Sequence, residues 1–377
     1  MRWGCMCLLF LWLLALPVVA GSDTEQLYQE QLLASGASSL PAKLPENVQA
    51  LLEEMGVDGL NPATYTGMSF AQVTELLIEL LEQETTGTAA PFATLLSVVV
   101  VSALFSSLEG SAQSLSLRQT YHTVAVLAAG SALLVPLFAL VERVAETIDR
   151  VTVLLTGFIP VYAGILVTSG SAMGALSYQT TLLTAAELLT WLVRGVVFPA
   201  LTVSLAIGCT GSVTEGFCLD SFSQTIHKAI LWMLGLFSTL FSGVLSLQQM
   251  VAAAGDSLSG RVMRFSLASF VPVVGGLLSE AYSTVVGCSG LLRSTVGCFG
   301  LLAVVLIVAA PLVSCICWSI SLGLAGSAAA LFGLTALEKL CRTAAGAVRV
   351  MIAVLAVFAL LMVVSTTVLV FVGRGGA

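Results

Sequence analysis

The sequence predicts an all-α protein: a polytopic membrane protein of about eight transmembrane helices with an internal, inverted repeat, preceded by a small helical extracytoplasmic segment. Three observations predict it. First, 58% of the 377 residues are hydrophobic and 9% are charged, with a mean hydropathy of +1.02, whereas soluble domains are roughly half apolar and a quarter charged. Second, from Ala89 onward the apolar runs are long enough to cross a bilayer, which takes about 20 residues. Third, Phe270-Val-Pro-Val followed by Gly276-Leu-Leu echoes Phe158-Ile-Pro-Val followed by Gly164-Ile-Leu at an offset of 112, and Pro199 and Pro311 repeat that offset. Four of the five prolines after residue 92 thus fall into two matched pairs, as a duplicated unit would place them.

Residues 1–20 have the layout of a secretory signal. Arg2 precedes an apolar run from Cys5 to Leu16, then Pro17 and small residues ending at Ala20. Cleaved signal and uncleaved anchor both place residues 21–90 outside the cytoplasm, and Cys5 and Cys7 sit too early for a lipid anchor. The formal charge of -7 is unevenly placed: residues 21–90 hold eleven acids against Lys43 alone, whereas the chain beyond has ten acids and twelve bases. No basic patch points to nucleic acid.

Residues 21–90 read as short helices joined by turns. Pro45 can open a helix running from Glu46 to Met55, with Gly56 as its stop. Ser69 and Gln72 have capping-box spacing, and Val73, Leu76, Leu77, Leu80 and Leu81 make one apolar stripe opposite Glu75, Glu79 and Glu82. Such a helix lies along the membrane, docks a partner, or packs within its own small domain.

The predicted spans are 91–108, 120–141, 151–172, 181–209, 228–250, 264–287, 298–322 and 348–372. Each must be helical, because an unpaired backbone group in hydrocarbon costs several kcal/mol. Residues 91–150 supply two leading helices, 151–255 the first repeat and 256–377 the second; the short apolar stretch 323–334 reads as re-entrant or interfacial. Starting outside, the loops 109–119, 173–180, 251–263 and 323–347 fall in the cytoplasm. With their flanks they carry Arg118, Arg261, Arg264, Lys339, Arg342 and Arg349, a modest positive-inside bias over Arg143, Arg150, Lys228 and Arg293.

Three spans separate equivalent points of the two copies, and an odd number inverts one against the other. Inverted repeats with interrupted helices are the architecture of secondary transporters, where the breaks meet near the midplane. Here the breaks would be Pro160 with Gly164, and Pro272 with Gly275 and Gly276. The competing reading is close helix packing at small residues. Charges within spans are few: Glu187 and Arg194, two turns apart on one face, and Glu280 beyond Pro272. They either line a polar path, or Glu187 and Arg194 form a structural ion pair with Glu280 at the membrane edge.

Enzymatic motifs are close to absent. Gly287-Cys-Ser-Gly290 matches a rhomboid nucleophile pattern, yet His122 and His227 both lie upstream of it, where that chemistry needs a later His. No HExxH zinc pattern or phosphate-binding Gly-rich loop occurs. We expect no enzyme, cofactor or metal. Cys209, Cys218, Cys288 and Cys298 flank the outer loops, where disulfides are permitted; free, buried thiols are the other reading, as for Cys315, Cys317 and Cys341.

Phe270-Val-Pro-Val-Val-Gly-Gly-Leu-Leu-Ser-Glu-Ala, Val286-Gly-Cys-Ser-Gly-Leu-Leu-Arg, Gly297-Cys-Phe-Gly, Phe158-Ile-Pro-Val-Tyr and the stretch Trp232 to Gly243 continuing to Ser246-Leu-Gln form a set of apolar words. In them the chain resembles the stage III sporulation protein AE family of endospore-forming bacteria. The resemblance implies a membrane component made in the mother cell, joined with the other stage III A proteins to a forespore partner across the intermembrane space. It implies a channel or feeding apparatus that sustains the engulfed forespore, with residues 21–90 facing that space and no catalytic residues. The physical alternative is a transporter that moves a small solute between two inverted repeats.

Overall fold

The computed structural model describes residues 22–57, 59–62, 64, 78, 82, 92–104, 115–168, 172–213, 219–270 and 275–372. Among these every regular element is helical. Helix α1 is Ser22–Ala34 and α2 is Glu46–Glu54, joined through two 3-10 turns at Ala37–Ser39 and Pro41–Lys43. A short apolar helix α3 spans Phe92–Leu104. Then come α4 (Leu115–Thr168), α5 (Ala172–Leu192), α6 (Phe198–Val213), α7 (Leu219–Phe270), α8 (Gly275–Leu331) and α9 (Thr335–Val372).

The α2 boundaries follow the local chemistry expected of them. Pro45 stands at the N-cap, and Gly56, at φ +69°, takes the left-handed conformation that ends the helix. Gly333 does the same between α8 and α9 at φ +69°, where the Leu334 N–H returns to the Ala329 carbonyl at 2.8 Å and closes a Schellman turn. The two most apolar spans, Gly287–Leu331 and Thr335–Thr367, are thereby folded back as an antiparallel hairpin.

Among the described residues five helices are long and apolar enough to cross a membrane: Gly130–Thr168, Gly174–Gly208, Ser221–Gln248, Gly287–Leu331 and Thr335–Thr367. Their shared core holds Phe158, Tyr162, Tyr178, Phe299 and Phe358, all under 2% exposed. The Phe158 and Phe299 rings stack with centroids 5.9 Å apart, and the Phe158 and Tyr162 rings meet edge-on at 5.4 Å. A stretch of π-helix, Val193–Val197, joins α5 to α6. Pro199 explains it, because its ring has no N–H to donate and crowds the carbonyl four residues back.

The loops expected at 142–150, 173–180, 251–263 and 288–297 are instead helical, inside α4, α5, α7 and α8 respectively. Charge alone does not end a helix: Glu146 and Arg150 are good helix formers, and they pair at i,i+4 across 3.8 Å. At 1.5 Å per residue, α4, α7 and α8 each reach about 80 Å, more than twice the roughly 30 Å hydrocarbon core. The stretch 323–334 is not re-entrant either; it comprises the end of α8 and the Gly333 turn. The proposed duplication loses symmetry here, since the α4–α5 connection at 169–171 has its counterpart at 281–283, within the continuous α8.

The N-terminal elements belong to the same core rather than to a domain of their own. Tyr28, Leu32, Ala37, Leu40, Leu44, Val48 and Leu52 are buried in one cluster with the bundle residues. The helix expected at 69–82 lies outside the described residues, apart from Ile78 and Glu82. Separately, α3 packs Val99 against Ala329, Leu334, Leu337 and Leu340 around the hairpin turn.

Candidate functional site

Polar side chains that must find partners inside an apolar bundle show where its helices are held. On α4, the Tyr162 hydroxyl donates to the Val296 carbonyl of α8 at 3.0 Å. On α5, the Tyr178 hydroxyl lies 2.9 Å from the Ser365 hydroxyl of α9. On α6, Ser204 Oγ lies 2.8 Å from His227 Nε2 of α7, while Ser223 Oγ donates to the Ser204 carbonyl at 3.3 Å. His227 is seated by Gly346 of α9: a Cβ placed there would lie 2.9 Å from the imidazole Cε1 and closer still to Nδ1. Gly300 similarly leaves room for Phe158, Tyr162 and Met362. Each of these hydrogen bonds satisfies a group that would cost several kcal/mol unpaired in hydrocarbon.

A second polar seam joins α1 and its turns to α4 and α8. The Tyr28 hydroxyl donates to the Leu60 carbonyl at 2.6 Å, and Ser289 Oγ of α8 donates to Gln31 Oε1 at 3.3 Å. Burial pushes the Tyr28 phenol up to about 12, although a hydrogen bond with the Thr295 side chain pulls the other way. Arg293, one turn beyond Ser289, is buried at 4% exposure within α8 rather than standing in an outer loop. A cavity beside the seam is lined by Leu44, Gln49, Leu52, Val57 and Phe299, among others.

Of the residues singled out by sequence, Pro160, Gly164, Glu187 and Arg194 have described surroundings. Pro160 is exposed and α4 runs through it and Gly164 without interruption. Gly164 serves as a contact point, because a Cβ on it would meet the Ser35 carbonyl at 3.6 Å; one on Gly157 would meet the Lys43 side chain at 3.1 Å. Pro272 lies outside the described residues, and Gly275, Gly276 and Glu280 open α8 with no described side-chain environment. Arg194 pairs with Asp149 of α4 rather than with Glu187, and both partners are about half exposed. Glu187 lies on the outside of α5. Cys288, Cys298, Cys315, Cys317 and Cys341 are free thiols, whereas the Cys209 and Cys218 side chains are outside the described residues.

Sequence reasoning missed Tyr28, Tyr178, Ser204, His227 and Ser365. One signal was available for His227: an ionisable side chain within an apolar run is by default worth a partner search.

An all-helical bundle with five apolar spans among the described residues, tied by buried hydroxyl and imidazole contacts, fits the class of multi-pass α-helical membrane proteins. The family model for stage III sporulation protein AE matches residues 63–373, and the chain belongs to that family. It is 24% identical over 294 residues to the stage III sporulation protein AE of Bacillus subtilis (strain 168), covering 75% of this chain and 73% of the relative. No solved structure matches. Residues 22–62 precede the family match, yet they complete the core.

Proposed function

We propose that this chain is a mother-cell membrane component of the channel or feeding-tube complex that links mother cell and forespore and is needed for forespore development after engulfment. The observation that carries the reading is the family match across nearly all of the bundle, from α3 through α9. Five apolar spans agree with a multi-pass location in that membrane. On this reading the N-terminal segment, delivered by a signal sequence, faces the intermembrane space, and the other stage III A proteins and a forespore protein are the partners. The chain contributes a membrane base rather than catalysis and takes no cofactor. The inverted-repeat transporter keeps the proline spacing as its support.

Affinity capture of the tagged chain from sporulating cells, at the stage of completed engulfment, tests the assignment. Recovery of other stage III A proteins in amounts comparable to the bait is the expected result. Recovery of the bait alone, from membranes that contain those proteins, would count against it.

A further inference from the structure

The cavity beside the N-terminal seam has two chemically different sides. It measures about 500 Å³, within the roughly 300–1,000 Å³ of small-ligand sites, and lies between α2, its flanking turns and α8. Leu44, Leu52, Val57 and Phe299 give it an apolar floor, each at most 5% exposed. Gln49 and Glu53, one helical turn apart on one face of α2, give it a polar wall. Gly56 and Gly59, at φ +69° and +57°, carry the chain round the rim without laying a side chain over it.

The polar wall offers acceptors and negative charge. Gln49 Nε2 donates to the Pro41 carbonyl at 3.1 Å and to the Leu44 carbonyl at 2.8 Å, which spends both of its hydrogens and fixes which way the amide faces. What that side chain still has to give is its oxygen. The backbone donors at the end of α2 are spent as well: the N–H groups of Met55, Gly56 and Val57 bond to the carbonyls of Leu51, Glu53 and Leu52. Glu53 adds an exposed carboxylate in the last turn of α2, with no ion-pair partner among the described residues. The helix dipole is negative at that end too, so the carboxylate is a cost to α2 that a bound cation relieves. No base lines the cavity, and Lys43, the one base between residues 21 and 90, lies with its stem against the Gly157 position of α4.

We propose that this cavity is a binding site for a small organic cation, a primary ammonium group carried on a short apolar body. An ammonium brings N–H donors and no acceptor, the complement of Gln49 Oε1 and the Glu53 carboxylate. The apolar body takes the floor, where Phe299 offers a ring to an aromatic or aliphatic stem. A neutral alcohol would leave the Glu53 charge unmatched, and a carboxylate would set two anions side by side. The rest of the segment draws a cation toward the site, because residues 21–90 hold eleven acids against one base. The inference needs only the docking of α1 and α2 on the bundle and stands apart from the sporulation assignment.

The test uses the full chain in detergent micelles, with para-fluorophenethylamine as the probe and its binding read by fluorine NMR after subtraction of empty micelles. Saturable binding is expected. The anion of similar shape, para-fluorophenylpropionate, should bind about tenfold more weakly, since attraction becomes repulsion. Glu53→Gln, at an exposed position, should weaken the amine by about threefold to fivefold, the worth of one partly screened ion pair. Glu46→Gln, at an exposed acid of α2 that does not line the cavity, should change it by less than about twofold, because salt screens a charge two turns away. Val57→Phe fills the cavity and should displace the probe. Thermal unfolding of Glu53→Gln at the parent's temperature keeps the test independent of any misfolding in Val57→Phe. Non-saturable uptake, equal affinity for the propionate, or equal effects of Glu53→Gln and Glu46→Gln would overturn the site.

Discussion

The hydroxyls of Tyr178 and Ser365 stand 2.9 Å apart across 187 residues of chain, tying the first half of the bundle to its final span. Tyr178 is wholly buried and Ser365 is 1% exposed, so neither hydroxyl has water to fall back on. Tyr178→Phe and Ser365→Ala should each lower stability by about 0.5–1.5 kcal/mol. A double-mutant cycle on the detergent-solubilised chain should return a coupling of about 0.6 kcal/mol, typical of hydrogen bonds between membrane helices. Strict additivity would mean that the two hydroxyls do not interact.

Gly346 and His227 make a tighter test. With the Cβ of Gly346→Ala pressed into the imidazole, one of the two helices must shift. The cost should be about 1–3 kcal/mol, the usual range for overpacking, read as earlier thermal unfolding of the purified protein. His227→Ala combined with Gly346→Ala should recover part of that loss, because the added methyl then enters vacated space. A Gly346→Ala protein as stable as the parent would show that α7 and α9 do not approach this closely.

Asp149 and Arg194 are each about half exposed, and their ion pair should matter little to stability. Screening and side-chain entropy leave such pairs at about 0–1 kcal/mol. Arg194→Ala should therefore unfold within a few degrees of the parent, and high salt should narrow the gap. A large, salt-independent loss would show that the pair is buried in the assembled protein.

Alkaline pH should loosen the N-terminal seam before it affects the bundle. The Tyr28 phenol ionises near 10 when free and near 12 when docked against α8. Below pH 10 both states are neutral, so the docking contribution is fully present. As pH rises from about 10 to 12 the free segment loses its proton first, and docking weakens progressively. Protease cleavage within residues 22–60 should accelerate over that window, and Tyr28→Phe should flatten the response. Equal acceleration in Tyr28→Phe would exclude this phenol as the source.

Much of the fold class was legible because lipid permits so few backbone solutions: a run such as Leu301 to Ala310 could hardly be other than helix. The Gly56 stop was readable from one residue. The connections were not, because charge by itself does not mark a loop. Glu142 to Arg150 carry charge on strong helix formers with an i,i+4 pair, and α4 continues through them. Pro160 was expected to interrupt its helix, yet a membrane helix can forgo one hydrogen bond when its neighbours hold it straight. Long-range relations were out of reach. Nothing near Gln31 in sequence announces Ser289, and Gly164 reads equally as hinge or contact until Ser35 is seen beside it. For Glu187 and Arg194, spacing gave the common face but not the fact that it points outward.

The decisive measurement is the count of heat-resistant spores from a strain lacking this chain. A loss of several orders of magnitude is expected, with engulfment complete and development stalled afterwards, and full recovery when the intact chain is restored. Spore yields equal to the parent's in the strain lacking it would contradict the role proposed for it.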